Sequence, residues 1–220
     1  MPETNSQSVR SEVLTVMFVD IVGYTKTTAQ LNREVFSQLH DVFDRISKSI
    51  VRHYEGKIIK KIGDAFLITF RSPTNALLSG IEMQKACADY NQKNTTPIKI
   101  RVVVHTGEVL IRNGDFYGDA VNTAARMESI TRPHDIVFSE ASFLSMNKNE
   151  IPYTHIGYRK LPGLRFPIRL FKVKAKYDSI LYDRKVKRRT ARKFKLVIVL
   201  LLWLALVAVA GYLLLMYWLF

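Results

Sequence analysis

The chain has 220 residues with a single cysteine, and its 33 Lys and Arg against 19 Asp and Glu leave a formal charge of +14. That length suits one ordinary domain with appendages, and a lone Cys87 excludes an intramolecular disulfide and points to a reducing compartment for the soluble part. Much of the positive charge lies between residues 184 and 195, so it is no nucleic-acid signature, and no pair among His40, His53, His105, His134 and His155 has zinc-ligand spacing with Cys or Glu.

Residues 1–12 read as a disordered polar tail, neither signal peptide nor transit helix. A strand is expected over 13–20, where a near-continuous apolar run ends abruptly in Asp20. Apolar residues without alternation suggest a strand covered on both faces, and Gly23 then lets the chain bend sharply. From Asn32 as N-cap, Val35, Leu39, Val42, Ile46 and Ile50 mark an amphipathic helix that stops near Gly56. Two β-prone runs, 58–62 and 65–70, flank Gly63-Asp64, a hairpin with a two-residue turn that sets a second carboxylate at a strand end. Strict alternation puts Lys60 on the face of Ile58 and Ile62, and Lys61 on the other.

Ser72-Pro73 opens a helix to about Tyr90, with Cys87 as a small apolar residue on its packed side. After a loop over 91–97, a strand is expected over 98–111, interrupted near Gly107. A short loop, Arg112-Asn113-Gly114, leads to Asp115, and Asp119 is placed to cap a helix to about Ile130. A short strand over 136–138, a helical turn, and a last hairpin from 153–160 and 168–173 complete the domain. Strands alternating with helices, with several hairpins, indicate an α+β fold: a mixed, largely antiparallel sheet with helices packed on it.

Residues 176–195 form a basic linker, and 196–220 run to the end without a charge. An apolar stretch of about 20 residues spans a bilayer, and Trp203, Tyr212, Tyr217 and Trp218 sit partly at its ends, as interfacial aromatics do. The expectation is a single-pass C-terminal transmembrane helix in the lipid bilayer, with the basic run as its cytoplasmic flank and the folded domain in the cytoplasm.

Two acids at strand ends, each next to a glycine, suit a hard divalent cation, which takes carboxylate and backbone oxygens. The stretches Phe18-Val19-Asp20-Ile21-Val22-Gly23-Tyr24-Thr25 and Ile62-Gly63-Asp64-Ala65 resemble the two metal-binding motifs of class III nucleotidyl cyclases. The resemblance covers about residues 13–173, and it implies a ferredoxin-like class III cyclase domain over 13–175. By that likeness Asp20 and Asp64 hold two Mg²⁺ or Mn²⁺ ions per site, with the Ile21 carbonyl as a further ligand. A third motif runs from Asp115 to Arg126. Its Asn122 and Arg126, four apart, share one helix face. They match the asparagine that orients the ribose and the arginine that meets the α-phosphate, a group suited to the planar guanidinium. Lys60 and Asp115 match the adenine-selecting pair: a lysine donates to N1 and an aspartate accepts from N6. Guanylate cyclases carry a glutamate at the Lys60 position.

The resemblance therefore implies an adenylate cyclase that makes 3′,5′-cyclic AMP and pyrophosphate from ATP in a homodimer with shared sites, with no nucleic-acid partner. Two departures bear on the leaving pyrophosphate. Pro162 stands where many relatives have a phosphate-binding lysine, leaving Lys160 or Arg165 as substitutes, and Arg112 is the one candidate for a phosphate arginine in a shortened loop. Pro162 is the best support for an alternative, a catalytically weak or inactive nucleotide-binding homologue acting as sensor or regulator. A membrane-tethered polyanion binder leaves the paired acids unexplained, and a guanylate cyclase requires Lys60 to be the wrong lysine.

Overall fold

The structure is a computed structural model that describes residues 9–23 and 33–174. The expected linker over 176–195 and transmembrane helix over 196–220 lie outside the described residues, as do Tyr24, Thr25 and Asn32. Among the described residues no helix is long and apolar enough to cross a membrane.

The elements in chain order are β1 (Arg10–Ile21), α1 (Arg33–His53), β2 (Lys57–Ile62), β3 (Ala65–Phe70), α2 (Pro73–Lys93), β4 (Ile100–Arg112), β5 (Asp115–Tyr117), α3 (Asp119–Ile130), β6 (Ile136–Ser139), α4 (Glu140–Ser145), β7 (Tyr153–Arg159) and β8 (Ile168–Val173). Seven strands form the order β2-β3-β1-β4-β6-β8-β7, and β5 adds to β4. All pairings are antiparallel except β4 with β6, so the sheet is mixed and largely antiparallel, as expected.

The long apolar run of β1 is explained by burial on both faces. Met17, Val19 and Ile21 join a core with Leu39, Phe43 and Val51 of α1 and Ala76, Leu77, Met83 and Cys87 of α2. Leu14, Val16 and Phe18 point the other way and meet Ala120, Ala124 and Met127 of α3. The first face carries α1, α2 and α4; the second carries α3. Asp20 belongs by alternation to the α3 face, just past Phe18.

Four local expectations need correction. β1 begins at Arg10, inside the stretch read as a disordered tail. β4 is not interrupted at Gly107, which pairs with Leu14; a Cβ there would lie 3.2 Å from that of Ala120, so this glycine makes room for α3. The loop over 112–114 is the turn of a hairpin: Asn113 and Gly114 have φ of 53° and 78°, and they fold β5 back on β4. Asp119 does not cap α3. Gly118, at φ 114°, takes that position and accepts from the Asn122 N–H at 3.1 Å, while Asp119 lies in the first turn, where its charge favours the helix N-terminus.

Candidate active site

At the end of β1, next to α3, a cleft of about 790 Å³ opens, lined among others by Asp20, Ile21, Lys60, Asp64, Arg101, Tyr117, Asn122 and Glu128. The sheet places its acids. Val19 pairs with Phe66 and Ile62 with Ala65, so the β2–β3 turn that carries Asp64 stands beside the end of β1 that carries Asp20. Asp20 is 5% exposed. Burial, and next the neighbouring Asp20 carboxylate, raise the pKa of Asp64 above its usual 3.8.

Directly across the ladder, Asp20 pairs with Arg101 of β4. The Arg101 Nε donates to Asp20 Oδ2 at 2.7 Å, and Nη2 meets the same oxygen at 2.5 Å. Nη2 also lies 2.7 Å from Glu128 Oε1, and Nη1 donates to the Glu128 carbonyl at 3.2 Å. The pKa of Glu128 is raised, foremost by burial. A buried Asp20 and a half-buried Asp64 that repel one another, with hard oxygen donors, form a donor set that fits Mg²⁺ or Mn²⁺. Among the described residues no group of three His, Cys, Asp or Glu could hold a metal, so the fit rests on the Asp20–Asp64 pair with backbone oxygen, for which Ile21 is suitably placed on the cleft wall.

Lys60 reaches the cleft by a device that alternation does not foresee. The β2–β3 register shifts between Ile58 and Lys60, leaving Ile59 as an extra residue. Ile58 packs on the helix-covered face and Ile59 on the α3 face. Lys60 then stands opposite Leu67, on the α3 face, and not on the face of Ile58 as expected. Its Nζ donates to Asp115 Oδ2 at 2.6 Å and lies 5.4 Å from the centre of the Tyr117 ring. This Lys60 hydrogen bond is the main cause that lowers the pKa of Asp115. Lys61 points the other way and is tied to Asp44 of α1 at 2.6 Å.

On α3, Val121, Asn122, Ala125 and Glu128 form the wall of the cleft. Arg126 does not line it: its Nη1 donates to the Gly163 carbonyl at 3.0 Å. Gly163 has φ 73°, and a Cβ there would come within 2.9 Å of Arg126 Nη2, so the turn after Pro162 fits closely against this guanidinium. Lys160, Arg165 and Arg112 do not line the cleft either, and Arg165 stacks on Phe166 at 5.2 Å.

The structure thus brings Asp20, Ile21, Asp64, Lys60 and Asn122 to one cleft, joins Asp115 to it through Lys60, and turns Arg126 toward Gly163. Sequence patterns missed Arg101, Tyr117 and Glu128. Glu128 lies seven residues after Val121, on the same helical stripe, a signal that was readable. The pairing of Arg101 with Asp20 depends on strand register and was not.

Comparison with known proteins identifies the family and the fold. The family described as adenylate and guanylate cyclase catalytic domain matches residues 6–175. The serine/threonine-protein kinase pkn2 of Myxococcus xanthus is 31% identical over 172 residues, which cover 76% of this chain and 20% of that protein. An adenylate cyclase of Streptomyces coelicolor is 31% identical over 130 residues, 59% of this chain and 33% of that one. The chain therefore matches a third or less of these curated relatives' length. The adenylyl cyclase CyaB from P. aeruginosa has the same fold, with a TM-score of 0.69 at 24% identity over 76% of this chain and 95% of that one.

Proposed function

The chain belongs to the adenylate and guanylate cyclase catalytic domain family, and from that premise we propose that it is an adenylate cyclase. The carrying observation is the meeting of the Asp20–Asp64 pair with the Lys60–Asp115 pair at one cleft of about 790 Å³, a size typical of small-molecule sites. In the proposed reaction the ribose 3′-oxygen of ATP attacks the α-phosphorus. The bond from the α-phosphorus to the β-phosphate bridging oxygen breaks, pyrophosphate leaves with the electron pair, and the hydroxyl proton passes to solvent. Two divalent cations, when bound, would supply electrostatic stabilisation of the attacking and leaving oxygens. Asp20 and Asp64 would hold them, with the Ile21 carbonyl. Lys60 donates to adenine N1 and Asp115 accepts from N6, and the two can stay hydrogen-bonded to each other while doing so. Asn122 orients the ribose, and Arg126 neutralises the α-phosphate.

The position of Arg126 supports a shared site. Because it faces Gly163 and not the cleft of its own chain, a second copy is the simplest source of the phosphate arginine. A symmetric pair would build two equivalent sites. The charge-free run over 196–220 and the basic run before it support a single-pass anchor with the catalytic domain in the cytoplasm. One observation favours the second reading, a weak or inactive nucleotide-binding homologue: with Pro162 in place of a lysine, no cation at the 161–164 turn lines the cleft.

The deciding assay incubates the purified full chain with Mg-ATP, Mn-ATP and the GTP equivalents and measures cyclic nucleotide and pyrophosphate together. Cyclic AMP with equimolar pyrophosphate is expected, with ATP preferred over GTP. Nucleotide binding without product under either metal would establish the non-catalytic homologue instead.

A further inference from the structure

Arg101 poses an electrostatic problem for the metal site. Its guanidinium meets Asp20 Oδ2 through both Nε and Nη2, so it grips one oxygen of the buried carboxylate and steadies it. A fixed positive charge on a metal-binding carboxylate also opposes a divalent cation, most strongly where water is partly excluded. The Arg101 side chain is 25% exposed and that of Asp20 7%, so solvent screens this repulsion only in part.

We propose that Glu128 is the charge-balancing residue of the metal site. Its carboxylate neutralises Arg101, so that the guanidinium orients Asp20 without repelling the cation; this rests on the metal-site reading above. Glu128 holds the guanidinium by two points: Oε1 lies 2.7 Å from the same Nη2 that meets Asp20 Oδ2, and its own carbonyl lies 3.2 Å from Nη1. It is a positioning residue that acts through Arg101. As a third metal ligand it would have to give up Arg101, and among the described residues no three-carboxylate metal arrangement exists. The network also links β1, β4 and α3, so the carboxylate that would take the metal is tied to the helix that carries Asn122.

The test measures Mn²⁺ binding to the full chain in detergent, with the free ion followed by electron paramagnetic resonance. Glu128→Gln leaves the guanidinium uncompensated and should weaken Mn²⁺ binding about tenfold or more. Glu128→Asp keeps the charge and should stay within about threefold of wild type, as should Arg101→Gln combined with Glu128→Gln, because that pair of changes removes both charges. The proposal is overturned if Glu128→Gln binds Mn²⁺ like wild type, or if the double variant is as weak as Glu128→Gln alone. Should circular dichroism show the double variant unfolded, the aspartate decides: equal weakening in Glu128→Asp and Glu128→Gln overturns charge balancing. A wild type that binds no Mn²⁺, or whose binding survives Asp64→Ala, overturns the metal-site reading and this inference together. Intact, Asp64-dependent binding with the wrong response at Glu128 overturns this inference alone.

Discussion

The two faces of the sheet solve different problems with the same strands. On one face three helices seal the core: Phe43, Leu77, Met83, Ile100, Phe138 and Phe171 are almost wholly buried, and Phe171 stacks on Phe143 with centroids 4.2 Å apart. On the other, α3 covers the middle of the sheet, while the ends of β1 and β2–β3 carry Asp20, Asp64 and Lys60 into an open cleft. The sealed face gains free energy from apolar area removed from water. The open face keeps like charges close together, which costs stability. Substitutions on the two faces should therefore fail in different ways.

The largest effect is expected at the acids. Asp64→Ala should lower kcat by about 100-fold or more, as loss of a metal-binding group does, with the fold retained by circular dichroism. Arg126→Ala should be severely impaired too, and co-expression of the two should restore part of the activity, because mixed dimers place both defects in one site and leave the other complete. A mixture as inactive as its parents, with heterodimers proven by pull-down, removes the shared site. Asp64 also tests the cost of the open face. Its folded pKa is raised, so the native state binds the proton more tightly than the unfolded chain, and stability falls as pH rises from 3.8 through the folded pKa. Asp64→Asn removes that loss: in chelator, its melting temperature should exceed that of wild type at neutral pH, and the gap should close in acid.

The sealed face should show the converse. Phe171→Ala removes a fully buried ring and should cost about 3–5 kcal/mol in urea unfolding. Product formed per folded molecule should hold. A loss of kcat larger than the loss of folded protein would mean that the two faces are coupled.

A smaller effect is expected at Lys60, where the chemistry is retained and base choice alone changes. Lys60→Glu should reduce the ATP/GTP ratio of kcat/KM by about tenfold or more, since adenine N1 then faces an acceptor. An unaltered ratio would show that the β2 bulge delivers this lysine to the cleft for another purpose. The last effect is confined to acid pH and belongs to His105, hydrogen-bonded to Ser139 at 2.7 Å, its pKa pushed down to about 4 by burial. The unfolded chain binds the proton first, so this contribution to stability is full above pH 6.5 and drains away as pH falls toward 4. His105→Gln should lose less stability than wild type across that interval in melts followed by circular dichroism.

Much of both faces was legible in the chain. Period-2 and helical patterns locate every long element, because burial of one face imposes a repeat that local sequence must carry. The acids were visible because Asp20 ends an apolar run three residues before Gly23, and Asp64 follows Gly63 in the turn between two such runs. Three features were not. Gly107 looks like a break and is a packing contact with Ala120. The strand over Asp115–Tyr117 is too short to show a period, and it is built by the Asn113-Gly114 turn. The facing of Lys60 follows from one extra residue, Ile59, and a shift by one residue inverts every side chain beyond it.

Sequence by itself determined where the long strands and helices lie, that β1 is buried on both sides, and which residue types stand at the strand ends. These are local properties, set by periodicity, turn residues and caps within a few positions. Tertiary structure decided the partners: Arg101 against Asp20, Glu128 beneath Arg101, Lys60 on Asp115, and Arg126 on Gly163. Each joins residues between 27 and 81 positions apart. Such contacts follow from strand register and helix docking, which are chosen by the burial of the whole core and leave no mark on the residues that meet.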